Sequence, residues 1–335
     1  MIIRNVSKVM IYKYNQNIDF LRILLMSMIV LWHFYVHSGI NVLSMDVFQH
    51  DSVWKGIPFI LPLLCYHVDS FMVISGSFGI RFKIKKILLF YLQTFFYAVL
   101  VFIIQYINDE LPTPKVVITF LLMPYRMWWY AEIYFYMMLI GPLISMGLCA
   151  LSKKSQITIL SIAFVFVVLF PFLSGISNFR ITMIFIYALA CYIHHNQLVV
   201  LNKYSGITFF LCISVLLFMR FLAVYFHNEF LYDKSCTYSN PFTILAALSL
   251  FSFFSNMRTN IQFPFMRYIV PGLFATYLLT DSRGTRFING YVIEHFGTNP
   301  ILLLFIALIF CVVIGLLDTL RGMLFDKVLR KCGIS

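Results

Sequence analysis

The sequence has 335 residues, of which 61% are hydrophobic and only 11% charged. Soluble domains carry about 25% charged residues, so this chain has too little polar surface for a water-soluble fold of its length. The formal net charge of +12 would suit a nucleic-acid binder, but the Lys and Arg residues fall in short segments between apolar runs. That placement is explained by membrane topology, and nucleic acid is excluded as a partner.

A membrane span needs about 20 mostly apolar residues. Ten runs qualify: 18–35, 57–80, 87–107, 128–148, 157–173, 181–193, 207–226, 242–254, 268–280 and 300–317. The expected fold is therefore all-α, a polytopic bundle of about ten spans. It forms a single domain over 1–335, with tails at 1–17 and 319–335. The run 116–123 is too short to cross, and is expected at the interface or re-entering the bundle. With the N-terminus cytoplasmic, the inner segments collect Arg4, Lys8 and Lys13, the Arg81–Lys86 cluster, Lys153 and Lys154, and the basic residues after 320. The outer loops then hold fewer cations, so both termini are expected in the cytoplasm.

The first run is not read as a cleaved signal peptide, since it has no small-residue cleavage site and carries an Arg and a His. It holds Asp19, Arg22 and His33. Ionisable groups inside a span cost about 2.5–3.5 kcal/mol each on insertion scales, so those present need a reason. Eleven helical steps bring His33 back to the face of Arg22, about 16 Å further along the axis. Arg22 can serve a buried polar path, or it can snorkel to headgroups or pair with Asp19. His33 can act in proton transfer or be a hydrogen-bonded packing residue; His37 reads as interfacial.

The second run contains HVDSFMVISG, which places His67, Asp69 and Ser75 within the membrane. Asp69 can orient an imidazole, either His33 or His67, or serve as a polar clamp between helices. The loop RFKIKK follows. Its Arg81, Lys83, Lys85 and Lys86 form the densest basic cluster, fit either for the phosphates of a charged metabolite or for anchoring to anionic lipid.

Further along, PYRMWWYAEIYFYMMLIGP places Trp129, Tyr130, Glu132 and Tyr134 at an outer aromatic belt. TYLLTDSRGTR adds Asp281, Arg283 and Arg286 at the outer end of the ninth run. Carboxylates and guanidinium groups above an aromatic rim suit an array of sugar hydroxyls, and they suit an ordinary solvated loop equally. The seven cysteines show no CxxC pair and no zinc spacing, so no metal is expected.

In this order, these segments resemble the acyltransferase-3 family of bacterial membrane acyltransferases. The resemblance rests on Arg22 and His33 in the first run, SFMVISGSF with its basic sequel, and WWYAEIYFYMMLIGP with Trp129, Tyr130, Tyr134 and Pro142. It continues in YSNPFTILAALSLFSFF and in FATYLLTDSRGTR, with Asp281 and Arg286. Departures stand at Asp69 in place of Asn, at Glu132 in place of a small or uncharged residue, and at Thr280 in place of His.

The resemblance implies transfer of an acetyl or other acyl group from cytoplasmic acetyl-CoA to a hydroxyl of a cell-surface polysaccharide or lipid-linked glycan. The setting would be the bacterial inner membrane. It implies His33 as base or acyl relay, with Arg22 and Asp69 assisting. Arg22, Ser75, Arg81, Lys83, Lys85 and Lys86 would hold the donor. Trp129, Tyr130, Glu132, Tyr134, Asp281 and Arg286 would hold the acceptor. The alternative is a flippase or polymerase of lipid-linked glycans without acyl transfer.

Overall fold

The computed structural model describes residues 15–110, 112–176, 178–196, 199–258 and 263–333. The expected inner cations Arg4, Lys8 and Lys13 lie outside the described residues. The described chain is helical and contains no strand.

Ten helices dominate. They are α1 Gln16–Val36, α2 His67–Phe78, α3 Ile84–Ile107, α4 Trp129–Ala150, α5 Lys153–Ala163, α6 Phe179–His195, α7 Val199–Tyr225, α8 Pro241–Asn256, α9 Leu273–Asp281 and α10 Pro300–Lys331. Helical turns connect them, together with the ten-residue helix Phe287–Phe296 and the nine-residue helix Pro114–Leu122, which is the run expected to be too short to cross. Seven helical segments among the described residues are long and apolar enough to cross a membrane. Helices α6 and α8 are apolar but shorter.

The ninth expected span is not one helix. It is broken into Met266–Ile269, a 3-10 turn Val270–Gly272, and α9. Pro271 accounts for the break, because it supplies no N–H and its ring clashes with a preceding carbonyl. The segment from 319, expected as a tail, continues α10 as helix to Lys331.

Burial separates centre from rim. Within their most apolar windows, α1 is 72% buried and the segment Ile57–Phe78 is 78% buried, against 11–39% for the other five long segments. Two polar-bearing helices therefore stand at the middle and the apolar ones face lipid. This inverts the soluble arrangement, as lipid solvation allows. Helix α1 packs against α2, α8, α9 and α10.

Close crossings are made where side chains vanish. A Cβ on Gly76 of α2 would lie 2.5 Å from the carbonyl oxygen of Tyr187 in α6. At the Pro271 break, a Cβ on Gly272 would lie 2.0 Å from the carbonyl oxygen of Gly315 in α10. Small residues at such contacts let membrane helices approach closely. Tyr187 also fixes the start of the basic loop: its hydroxyl accepts from the Ile80 amide at 3.1 Å and donates to the Gly141 carbonyl at 3.2 Å.

Candidate functional site

The site forms where α1 meets α9. His33 is 7% exposed on α1, and its Nδ1 lies 2.7 Å from Thr280 Oγ1 on α9. Thr280 Oγ1 is also 2.9 Å from the Thr276 carbonyl, the acceptor a helical threonine uses one turn back. A hydroxyl has one proton to give, so if it goes to that carbonyl the oxygen accepts from His33. Nδ1 then carries the imidazole proton and Nε2 keeps its lone pair for a substrate. Sequence reading noted Thr280 only as a departure from pattern and missed it as the partner of His33.

One turn along α1, the His37 ring lies 5.3 Å from that of His33. His37 Nε2 meets Asp281 Oδ1 at 3.3 Å, and Arg286 Nη2 reaches the same oxygen at 3.6 Å. His37, expected at the interface, thus belongs to this cluster. Its fourfold spacing from His33 was the signal for a shared face. The ligand atoms of His33, His37 and Asp281 lie within 4.8 Å of one another, close enough for a single metal ion. The Arg286 guanidinium beside Asp281 opposes a second cation there and favours a hydrogen-bonded relay.

Asp69 does not meet either imidazole. The partner of His33 is Thr280, and the Nδ1 of His67 bonds the Leu64 carbonyl. Both carboxylate oxygens of Asp69 are buried without a hydrogen-bond partner among the described residues. The expected orienting role has no contact to support it: both imidazoles are already bonded elsewhere and the Asp69 carboxyl group reaches neither. His67 instead packs beside Trp32, ring centroids 5.7 Å apart.

A cavity of about 680 Å³ lies between the basic loop and the aromatic residues next to this cluster; His33, His37, Thr280 and Asp281 do not line it. Its lining includes Arg22, Ser75, Arg81, Lys83 and Lys86, together with Tyr130, Tyr134 and Tyr277. The Tyr277 ring centroid lies 5.9 Å from that of His33. The cavity therefore runs from the basic loop to the aromatic layer that borders the imidazole. Arg22 lines it while also pairing with Asp19 at 2.6 Å. Lys85 departs from its three neighbours: it does not line the cavity, and its Nζ pairs with Asp326 of α10 at 2.9 Å. A helix start at Ile84 puts Lys85 and Lys86 on different faces.

On the other side of the aromatic layer, Trp129 packs against Phe179 and Tyr238 with centroids 4.9 and 5.4 Å apart. Trp128 is buried and its indole donates to the Leu278 carbonyl at 2.8 Å, which locks α4 to α9. The Tyr277 hydroxyl lies 3.4 Å from the Tyr130 amide, adding a second tie. Glu132 is spent on ion pairs, 3.2 Å from both Arg126 and Arg180.

Compared with known proteins, residues 15–318 match a family model described as an acyltransferase domain. No curated protein and no solved structure matches the chain.

Proposed function

We propose, from the fact that this chain belongs to that acyltransferase family, that it moves an acyl group from acyl-CoA through the bundle to a hydroxyl of a glycan on the opposite side of a bacterial inner membrane. One observation carries the reading: a single cavity joins the cationic residues Arg22, Arg81, Lys83 and Lys86 to Tyr277, the ring against His33. The volume, about 680 Å³, is within the range of small-molecule sites.

The phosphates of the donor cannot enter hydrocarbon, so they stay at the basic loop, where Arg and Lys make charge-assisted hydrogen bonds to them. The uncharged pantetheine arm extends inward along Phe71, Phe78 and Phe90. Its thioester reaches the layer of Tyr130 and Tyr277. An acceptor hydroxyl enters from the side of Trp129, Asp281 and Arg286. His33 Nε2 takes the hydroxyl proton as the oxygen attacks the thioester carbonyl, and the CoA thiolate leaves. Thr280 positions the ring, and the Asp281 carboxylate stabilises the imidazolium that forms.

The basic loop and the continuation of α10 are assigned to the cytoplasm on the positive-inside rule. Membership in the family favours acyl transfer over a flippase or polymerase of lipid-linked glycans.

The test is transfer of labelled acetyl from acetyl-CoA to membrane glycan by vesicles containing the chain. Wild-type vesicles are expected to label glycan, and vesicles with His33→Ala at equal protein level are not. Label in glycan at undiminished rate in the His33→Ala vesicles would overturn the assignment.

A further inference from the structure

A second polar cluster lies apart from the donor cavity, around the buried Arg220 of α7. Arg220 is 1% exposed, and its Nε and Nη1 have no hydrogen-bond partner among the described residues. Its guanidinium carbon lies 3.6 Å from the centre of the Tyr232 ring. Its Nη2 donates to Cys236 Sγ at 2.7 Å. That is short for a contact to sulfur, whose hydrogen bonds are weak when the sulfur is neutral.

A guanidinium in apolar surroundings requires a compensating anion, and Cys236 is the group it touches. Burial pushes the Cys236 thiol up, but the hydrogen bond with Cys65 and the Arg220 guanidinium outweigh that and bring it down to about 7. Cys65 is fully buried just before α2, within the second span, and lies beside Cys236, although the two are not bonded covalently.

We propose that Cys236 and Cys65 form a thiol–disulfide exchange site, with Arg220 as the counter-ion of the Cys236 thiolate. Cys236 is partly exposed, whereas Cys65 and Arg220 are buried, so an incoming disulfide meets Cys236 first. The Cys236 sulfur attacks one sulfur of a small-molecule disulfide, and a mixed disulfide forms as one thiolate leaves. Cys65 then loses its proton and attacks the Cys236 sulfur, and the second small thiolate departs. Two protein thiols have been oxidised and one disulfide has been reduced to two thiols.

The product would tie the second span, just before α2, to the loop before α8. The Tyr232 hydroxyl donates to the Val42 carbonyl at 3.0 Å, beyond the C-terminal end of α1. The cluster therefore sits at the end of the bundle away from the basic loop. With that loop cytoplasmic, it faces the compartment in which disulfides persist.

The experiment incubates the detergent-purified full chain with oxidised glutathione and maps peptides without reduction. A peptide linking Cys65 to Cys236, released by dithiothreitol, is expected. The variant Cys65→Ser is expected to stop at a glutathione adduct on Cys236. Adducts confined to Cys149 and Cys332 would overturn the site, as would a wild-type Cys236 adduct that persists without a link to Cys65. The wild-type map decides even if a variant fails to fold.

Discussion

The Thr280 hydroxyl is the smallest group on which the reaction scheme depends. It sits 2.7 Å from His33 Nδ1 and holds no charge. Replacing it by valine keeps the shape and removes the acceptor, so the imidazole can place its proton on Nε2, where it blocks general-base catalysis. Thr280→Val is expected to lower the turnover number by about 10-fold to 100-fold, the cost of losing an orienting partner. Thr280→Ser should restore most of it, which a merely structural role for the methyl group would not allow. His33→Ala should lose about 10²–10⁴-fold, the range of proton-transfer catalysis. Asp69→Asn, a change at a carboxyl group that bonds neither imidazole, is expected to stay within a few-fold of wild type. Acetyl transfer by each variant at matched protein level ranks them; a Thr280→Val turnover number equal to wild type would show that His33 needs no partner at Nδ1. At this scale the sequence was informative about ionisable groups, because charge in a span is costly and stands out. It was silent about Thr280, since a hydroxyl can satisfy itself on its own helix and is common in spans.

At the scale of helices, the division of the basic loop gives a sharper expectation than its charge does. Arg81, Lys83 and Lys86 line the cavity, whereas Lys85 is held by Asp326. Lys86→Ala is expected to raise the KM for acetyl-CoA about fivefold, since one partly solvated ion pair is worth about 1 kcal/mol, with the turnover number little changed. Lys85→Ala should leave that KM near wild type and loosen α3 from α10 instead. A larger KM effect at Lys85 than at Lys86 would reverse the assignment. Helix crossings carry a stability prediction of their own. Gly76→Leu forces a side chain into the Tyr187 carbonyl of α6, and overpacking of this kind costs about 1–3 kcal/mol. A lowered melting temperature in detergent checks it. The long apolar helices were legible from hydropathy alone. The break at Val270–Gly272 was not, although Pro271 was in view, because a proline inside a hydrophobic run is tolerated in membranes and marks a break only when neighbours take over the freed carbonyls.

Taken as one molecule, the arrangement answers a transport problem within a chemical one. A hydrocarbon core is about 30 Å thick, and Arg22 and His33 are separated by about 16 Å of helix rise. The imidazole thus stands roughly midway across, and neither the charged donor nor the polar acceptor has to cross the whole barrier. This geometry works only if the basic loop and the end of α1 beyond His33 open on opposite sides. The C-terminal end of α10 then shares the side of the basic loop, because Lys85 pairs with Asp326 near that end. Cys332, exposed just after α10, reports one side, and an Asn41→Cys substitution in the loop after α1 reports the other. In intact cells a membrane-impermeant maleimide is expected to label Asn41→Cys and to leave Cys332 untouched until the membrane is opened. Labelling of Cys332 from outside would put the donor cavity on the side where acyl-CoA is absent, and the proposed direction of transfer would fall while the bundle itself stood.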